Sequence, residues 1–122
     1  MTPLPSVPAD AVKPGLARII RSRHFSNLPR ISRFLTFVVQ EYSAGRSDRL
    51  KGYTIGVAVF DRAADFDPQA DTIVRVRARV LRRKLDQYYA QDGADDPLRI
   101  SIAKGTYAPE FDPFWQAETP DT

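Results

Sequence analysis

The sequence predicts a mainly α domain that closes with a C-terminal β-hairpin. Three observations carry that prediction. Residues 73–85 space their apolar side chains at about 100° per residue, the period of a helix. Leu28, Ile31, Phe34, Leu35, Val38, Val39 and Tyr42 repeat the helical period with a broader apolar face. Leu98 to Ile102 instead alternates apolar with polar residues, Lys104-Gly105 offers a turn, and Thr106 to Phe111 returns.

Each element follows in order. Residues 1–9 hold three prolines and are expected to form a disordered or extended arm. Asp10 is placed to cap a first helix running to about Ser22, with Val12, Leu16, Ile19 and Ile20 on its apolar side. Pro14 falls in the first turn of that helix, where its missing N–H costs nothing. Ser26 or Asn27 starts the second helix, the expected centre of the core, and Gly45 stops it. A basic loop over 46–52 leads to a short third helix from Tyr53 or Thr54 to Phe60, weakened by Gly56. The 61–71 loop contains the turn signal Phe66-Asp67-Pro68. Asp71 or Thr72 caps a long fourth helix, about 72–91, with Gly93 as its stop. The hairpin occupies about 98–111, Phe114 and Trp115 are expected to fold back, and 116–122 to form a loose tail. One domain, 10–115, results, and no internal repeat is visible.

Composition narrows the function. A content of 43% hydrophobic and 27% charged residues is ordinary for a globular chain, and the net charge is only +3, so the total does not announce a polyanion binder. The distribution does. Six basic residues and no acid lie between Ile73 and Leu85, while acids collect in loops and near the C-terminus. The absence of cysteine excludes disulfides, cysteine-ligated zinc and thiol catalysis. His24 is the single histidine, with no partner pattern for a zinc site or a catalytic triad, and there is no glycine-rich phosphate loop. No enzyme activity, metal or cofactor is expected. No apolar run approaches the ~20 residues that span a bilayer, and no signal peptide is visible. A soluble, cytoplasmic protein at the nucleoid is expected.

On the fourth helix, Val74, Ala78, Leu81, Leu85 and Tyr88 share one face, while Arg75, Arg79, Arg82 and Arg83 gather opposite. Such a helix packs on one side and presents guanidinium groups on the other. The planar fork of arginine pairs bidentately with phosphate or a guanine edge. Arg77 and Lys84 lie on the flank, better placed to pair with acids of the protein or to reach a phosphate than to read bases. Lys51, Tyr53 and Thr54 stand where the third helix begins, a position that binds phosphate through free N–H groups or is simply capped by Thr54. The other arginines, Arg18, Arg21, Arg23, Arg30, Arg33, Arg46 and Arg49, read as scattered solvated surface. A solvated basic face balanced by nearby acids is the bland reading of the fourth helix itself.

The order helix, short helix, long basic helix, hairpin is that of a winged helix-turn-helix, here with an extra N-terminal helix. Val74-Arg75-Val76-Arg77-Ala78-Arg79-Val80-Leu81-Arg82-Arg83-Lys84-Leu85, followed by Gly105-Thr106-Tyr107, resembles the C-terminal half of OmpR/PhoB-type DNA-binding domains, and Ile55-Gly56-Val57-Ala58-Val59-Phe60 is similar to their preceding helix. The chain also resembles a divergent bacterial branch of this fold, often found ahead of cyclase or repeat-containing effector regions. The matching residues are Ile55-Gly56, Val59-Phe60, Arg62, Asp65-Phe66-Asp67-Pro68, Asp71, Val74-Arg75-Val76, Leu81-Arg82, Lys84-Leu85, Tyr88-Tyr89, Gly93, Lys104-Gly105, Tyr107, Pro109 and Phe111. The resemblance covers roughly residues 30–112.

The resemblance implies a sequence-specific transcriptional regulator of double-stranded DNA. The 72–91 helix would enter the major groove, and the 98–111 hairpin would act as a wing. Thr72, Arg75, Arg79, Arg82 and Arg83 would serve the helix, and Arg99, Lys104 and Thr106 the wing. The family's wing carries an arginine after its Gly-Tyr pair; Ala108 stands there, and Lys104 or Arg99 is the candidate substitute. The loop Asp61–Asp71 occupies the position that in the family can contact RNA polymerase, although turn making and capping explain its acids more simply. With no receiver domain among the 122 residues, no phosphoaspartate switch is expected. A homodimer on DNA is expected, with the first helix as its contact unless that helix only covers the core. Two rival readings stand beside this one: a protein-interaction module of the same fold without DNA binding, and an RNA-binding protein.

Overall fold

The computed structural model describes residues 9–112, with side chains from Ala11 onward. Among these residues the chain is mainly helical and ends in a two-stranded antiparallel hairpin. Its elements are α1 (Ala9–Arg21), α2 (Pro29–Ser43), a 3-10 turn (Ser47–Arg49), α3 (Gly52–Phe60), α4 (Ile73–Ala90), β1 (Arg99–Ile102) and β2 (Pro109–Asp112).

The apolar periodicities form the core. α2 buries Ile31, Phe34, Leu35, Val38 and Val39. α4 buries Val74, Ala78, Leu81, Leu85, Tyr88 and Tyr89. α3 packs between these two helices and adds Ile55, Val59 and Phe60. The T-shaped contact of Phe34 with Phe60, centroids 5.6 Å apart, joins α2 to α3. α1 lies on α2 and β1 with Val12 and Ile19 buried, so its apolar side covers the core. β1 sits on α4 through Leu98, Ile100 and Ile102, and pairs with β2 from Arg99↔Asp112 to Ile102↔Pro109.

Several boundaries differ from the sequence expectation. Ala9 and Asp10 are already helical, so Asp10 is not the residue preceding the helix, and Pro14 lies inside α1, beyond its first turn, where it removes an intrahelical N–H. The arm's first eight residues, like Phe114, Trp115 and the tail, lie outside the described residues. α2 begins at Pro29, not at Ser26 or Asn27. The intervening segment forms turns around the buried ring of Phe25, whose carbonyl accepts the Ser32 hydroxyl at 3.1 Å. Pro29 suits the first helical turn, where its missing N–H has no intrahelical partner to lose. Gly45, at φ +80°, follows α2 in the left-handed conformation expected of a helix stop, and the amides of Gly45 and Arg46 return to the carbonyls of Tyr42 and Glu41. α3 begins at Gly52, so Thr54 lies inside the helix and is not its cap.

Buried charge is handled by pairing. Glu41 is only 7% exposed. It accepts Arg46 Nε at 2.8 Å and Nη2 at 2.9 Å, and Arg49 Nη1 at 3.0 Å. The hydrogen bond from Arg46 holds its carboxyl below the ordinary glutamate range, against the opposing effect of desolvation.

Candidate nucleic-acid interface

The basic helix is positioned at its start by one carboxylate. Asp71 Oδ1 accepts the Ile73 amide at 3.1 Å and Oδ2 accepts Arg62 Nε at 2.8 Å. Thr72 precedes the first helical residue but makes no side-chain cap bond, so of the two candidate caps it is Asp71 that binds the helix. Thr72 is exposed there.

Beyond this start the buried stripe turns the opposite face outward. Arg75, Arg79 and Arg83 are exposed, and no described acid pairs with any of them. They succeed one another at intervals of four, which brings like charges together on one helix face at a cost of roughly 0.2–0.5 kcal/mol per pair. No ion pair among the described residues relieves that repulsion; the burial of the opposite face carries it. Arg77 is also exposed and without a described acidic partner, so of the two uses expected for it, pairing with an acid of the protein or reaching a phosphate, the first is not seen. Val76, 48% exposed, stands among these cations and had no place in the sequence-based site. Its signal was available: on the helical wheel it falls beside Arg79 and Arg83.

Arg82 and Arg99 depart from the expected free, ligand-facing role. Arg82 is half-buried and turns its guanidinium to the hairpin, donating from Nε to the Ile102 carbonyl at 3.4 Å and from Nη2 to those of Ala103 at 3.2 Å and Thr106 at 2.7 Å. Arg99 pairs with Asp86 of α4 at 3.2 Å, with its guanidinium 5.4 Å from the centroid of the Tyr89 ring. Their partners, backbone carbonyls and residues distant along the chain, are not legible in sequence, although the helical wheel sets Arg82 beside Ala78 at the edge of the buried stripe.

At the hairpin tip, Lys104, Gly105 and Thr106 are exposed. Thr106 Oγ1 donates to the Ala103 carbonyl at 3.2 Å and accepts the Ala108 amide at 3.1 Å, so the hydroxyl builds the turn. Lys104 has no described partner. At the start of α3, Lys51 is exposed and makes no cap bond. Exposed Tyr53 stacks on Phe66, with centroids 6.3 Å apart, and donates to the Ala64 carbonyl at 2.8 Å. Thr54 is half-buried.

The acids of the 61–71 loop mostly have internal partners. Asp61 receives Arg30 at 2.7 Å, Asp67 takes the Gln69 amide at 3.0 Å, and Asp71 is held as described; exposed Asp65 has no described partner. Several of the arginines read as scattered surface are likewise engaged. Arg30 and Arg33 donate to the Val59 and Ala58 carbonyls at the C-terminal end of α3, at 2.8 and 2.7 Å. Arg18 pairs with Asp96 at 3.3 Å and Arg23 with Asp92 at 3.3 Å.

Among the described residues no group of three or more potential ligands is placed to hold a metal ion, and no helix is long and apolar enough to cross a membrane. No family model, curated protein or solved structure matches the chain.

Proposed function

We propose that this chain is a winged helix-turn-helix regulator that binds double-stranded DNA, with α3 and α4 as the helix-turn-helix and the β1–β2 hairpin as the wing. The single observation that carries the reading is the row Arg75, Arg79, Arg83: three exposed guanidinium groups on one helix face, with no acid among the described residues to neutralise them. A groove about 12 Å wide admits one helix. Over the eight-residue span of the row, a rise of ~1.5 Å per residue separates first and last by ~12 Å, a reach that meets phosphates on both sides of that groove as well as base edges.

Thr72, exposed at the start of α4, and Lys104, at the hairpin tip, supply further contacts to the backbone. Arg82 and Arg99 act inside the protein, and Thr106 contributes through the turn it builds. Lys51 stands ready for a phosphate at the start of α3. Affinity comes mainly from counterion release, with base preference added by the arginines. A homodimer on a repeated or palindromic site suits the small footprint of one helix and one wing.

The test is fluorescence anisotropy of a labelled random-sequence duplex, with structured RNA as competitor. Wild type is expected to bind with log affinity falling by about 0.9 per contacted phosphate as log salt rises. The Arg75→Ala/Arg79→Ala/Arg83→Ala variant is expected to lose that binding while keeping its helical content. Equal binding by the two proteins rejects the face. Preference for RNA, or indifference to both nucleic acids at low salt, favours an RNA-binding or a protein-docking role respectively.

A further inference from the structure

We infer that Arg82 is a positioning residue: its guanidinium latches the hairpin tip to α4 and so fixes Lys104 relative to the arginine row. The inference rests on the DNA-binding reading only for its consequence; the latch itself is a matter of the fold.

Two ties run from α4 to the hairpin. Near the free ends of the strands, Arg99 at the start of β1 meets Asp86 and Tyr89. Near the tip, Arg82 gathers the carbonyls of Ile102, Ala103 and Thr106. Arg82 lies one helical turn N-terminal to Asp86. The hairpin therefore runs alongside α4 with its tip directed toward the N-terminal half of the helix, where Arg75 and Arg79 stand.

The three carbonyls lie on both sides of the Lys104-Gly105 turn, so a single side chain holds both arms of it. Their converging dipoles make a small negative pocket. A planar guanidinium with several fixed N–H donors serves more than one acceptor at once, which the point charge of a lysine does less well. The tip has bonds of its own, the Thr106 amide and hydroxyl donating to the Ala103 carbonyl and the Ala108 amide to the Thr106 hydroxyl, and Tyr107 beside it meets the Phe34 ring with centroids 6.2 Å apart. These shape the turn, but Lys104, Gly105 and Thr106 are exposed, nothing lies within 4 Å of a Cβ built on Gly105, and the hydrogen bonds that tie the turn to α4 are those of Arg82. Without Arg82 the carbonyls turn to water, so the fold survives, but the tip swings and Lys104 no longer meets a phosphate at a fixed distance from the row.

The test combines two readouts on the full chain. The first is the amide heteronuclear NOE of residues 104–106, which needs no nucleic acid. It is expected to fall toward values typical of mobile loops in Arg82→Met. The second is a double-mutant cycle on the random-sequence duplex. Lys104→Ala is expected to weaken wild-type binding several-fold, up to about tenfold, and to lower the salt slope by about 0.9. In the Arg82→Met background the same change is expected to cost less than about twofold.

A tip as ordered in Arg82→Met as in wild type overturns the latch. So does an equal cost of Lys104→Ala in both backgrounds, the result expected if Arg82 contacts the duplex itself. Should Arg82→Met fail to fold, Arg82→Lys keeps the charge and the stem, loses the fork, and enters the same comparison. If wild type ignores duplex DNA, the proposed function falls, while the NOE still decides the latch.

Discussion

Arg62 and Asp71 close the loop that leads into α4: Nε of the arginine donates to Oδ2 of the aspartate at 2.8 Å, while the second carboxylate oxygen accepts the first helical amide. One side chain thus sets both the length of the loop and the start of the basic helix. The pair is partly exposed, at 36% and 41%, so its ionic part is worth at most ~1 kcal/mol.

Asp71→Ala is expected to destabilise the fold by about 1–2 kcal/mol, mostly through the lost amide acceptor. Asp71→Asn keeps an oxygen for the Ile73 amide and is expected to cost less than about 1 kcal/mol. Urea denaturation of the three proteins checks the order. Equal losses for Ala and Asn assign the effect to the ion pair.

Gly56 lies directly beneath the ring of Phe66, and a Cβ there would overlap that ring. Gly56→Ala is expected to destabilise by about 1–3 kcal/mol although alanine is the better helix former. Adding Phe66→Ala removes the overlap and is expected to make the pair less costly than the sum of its parts. Thermal unfolding of the single and double variants reads the difference.

The carboxyl of Glu41 titrates below its ordinary value of 4.5, first because Arg46 hydrogen-bonds to it, with further attraction from Arg46 and Arg49 opposing desolvation. A depressed acid contributes stability that is present above its unfolded pKa and is lost as pH falls through the folded one. Stability is therefore expected to decline in the acid range below about pH 4.5. Glu41→Gln is expected to flatten that decline. An unchanged acid limb in Glu41→Gln counts against the carboxylate as its source.

Arg79 stands four residues from both Arg75 and Arg83. Relieving two like-charge pairs, Arg79→Ala is expected to stabilise the isolated protein by about 0.5–1 kcal/mol, helped by the helix propensity of alanine. The same change is expected to weaken a specific duplex by roughly 1–3 kcal/mol. Opposite signs in a thermal melt and a binding titration mark a residue kept for a ligand; a loss in both would make it structural.

The legible parts of this fold are those written in local periodicity. The apolar stripe from Val74 to Tyr88 and the alternation from Leu98 to Ile102 emerge as a packed helix and a strand because burial acts on one face at a time. The start of α2 was obscured by Ser26 and Asn27, which look like caps, whereas the Phe25 ring enters the core and pulls the preceding segment into turns. The candidate site divides the same way. The outward position of Arg75, Arg79 and Arg83 follows from the wheel. At about 100° per residue Arg82 falls beside Ala78, at the edge of the apolar stripe rather than opposite it, so its half-buried position was legible; the carbonyls it meets, twenty and more residues away, were not, because a carbonyl leaves no mark in sequence.

Tyr89 has a consequence for how this molecule meets others. Its hydroxyl accepts the Ile100 amide at 2.8 Å, a donor that β2 does not use. A two-stranded ribbon ordinarily offers such amides to any passing extended peptide. Here a phenol from the neighbouring helix occupies one near the middle of β1, blunting the ribbon against unwanted strand addition and helping to keep crowded copies of the protein apart.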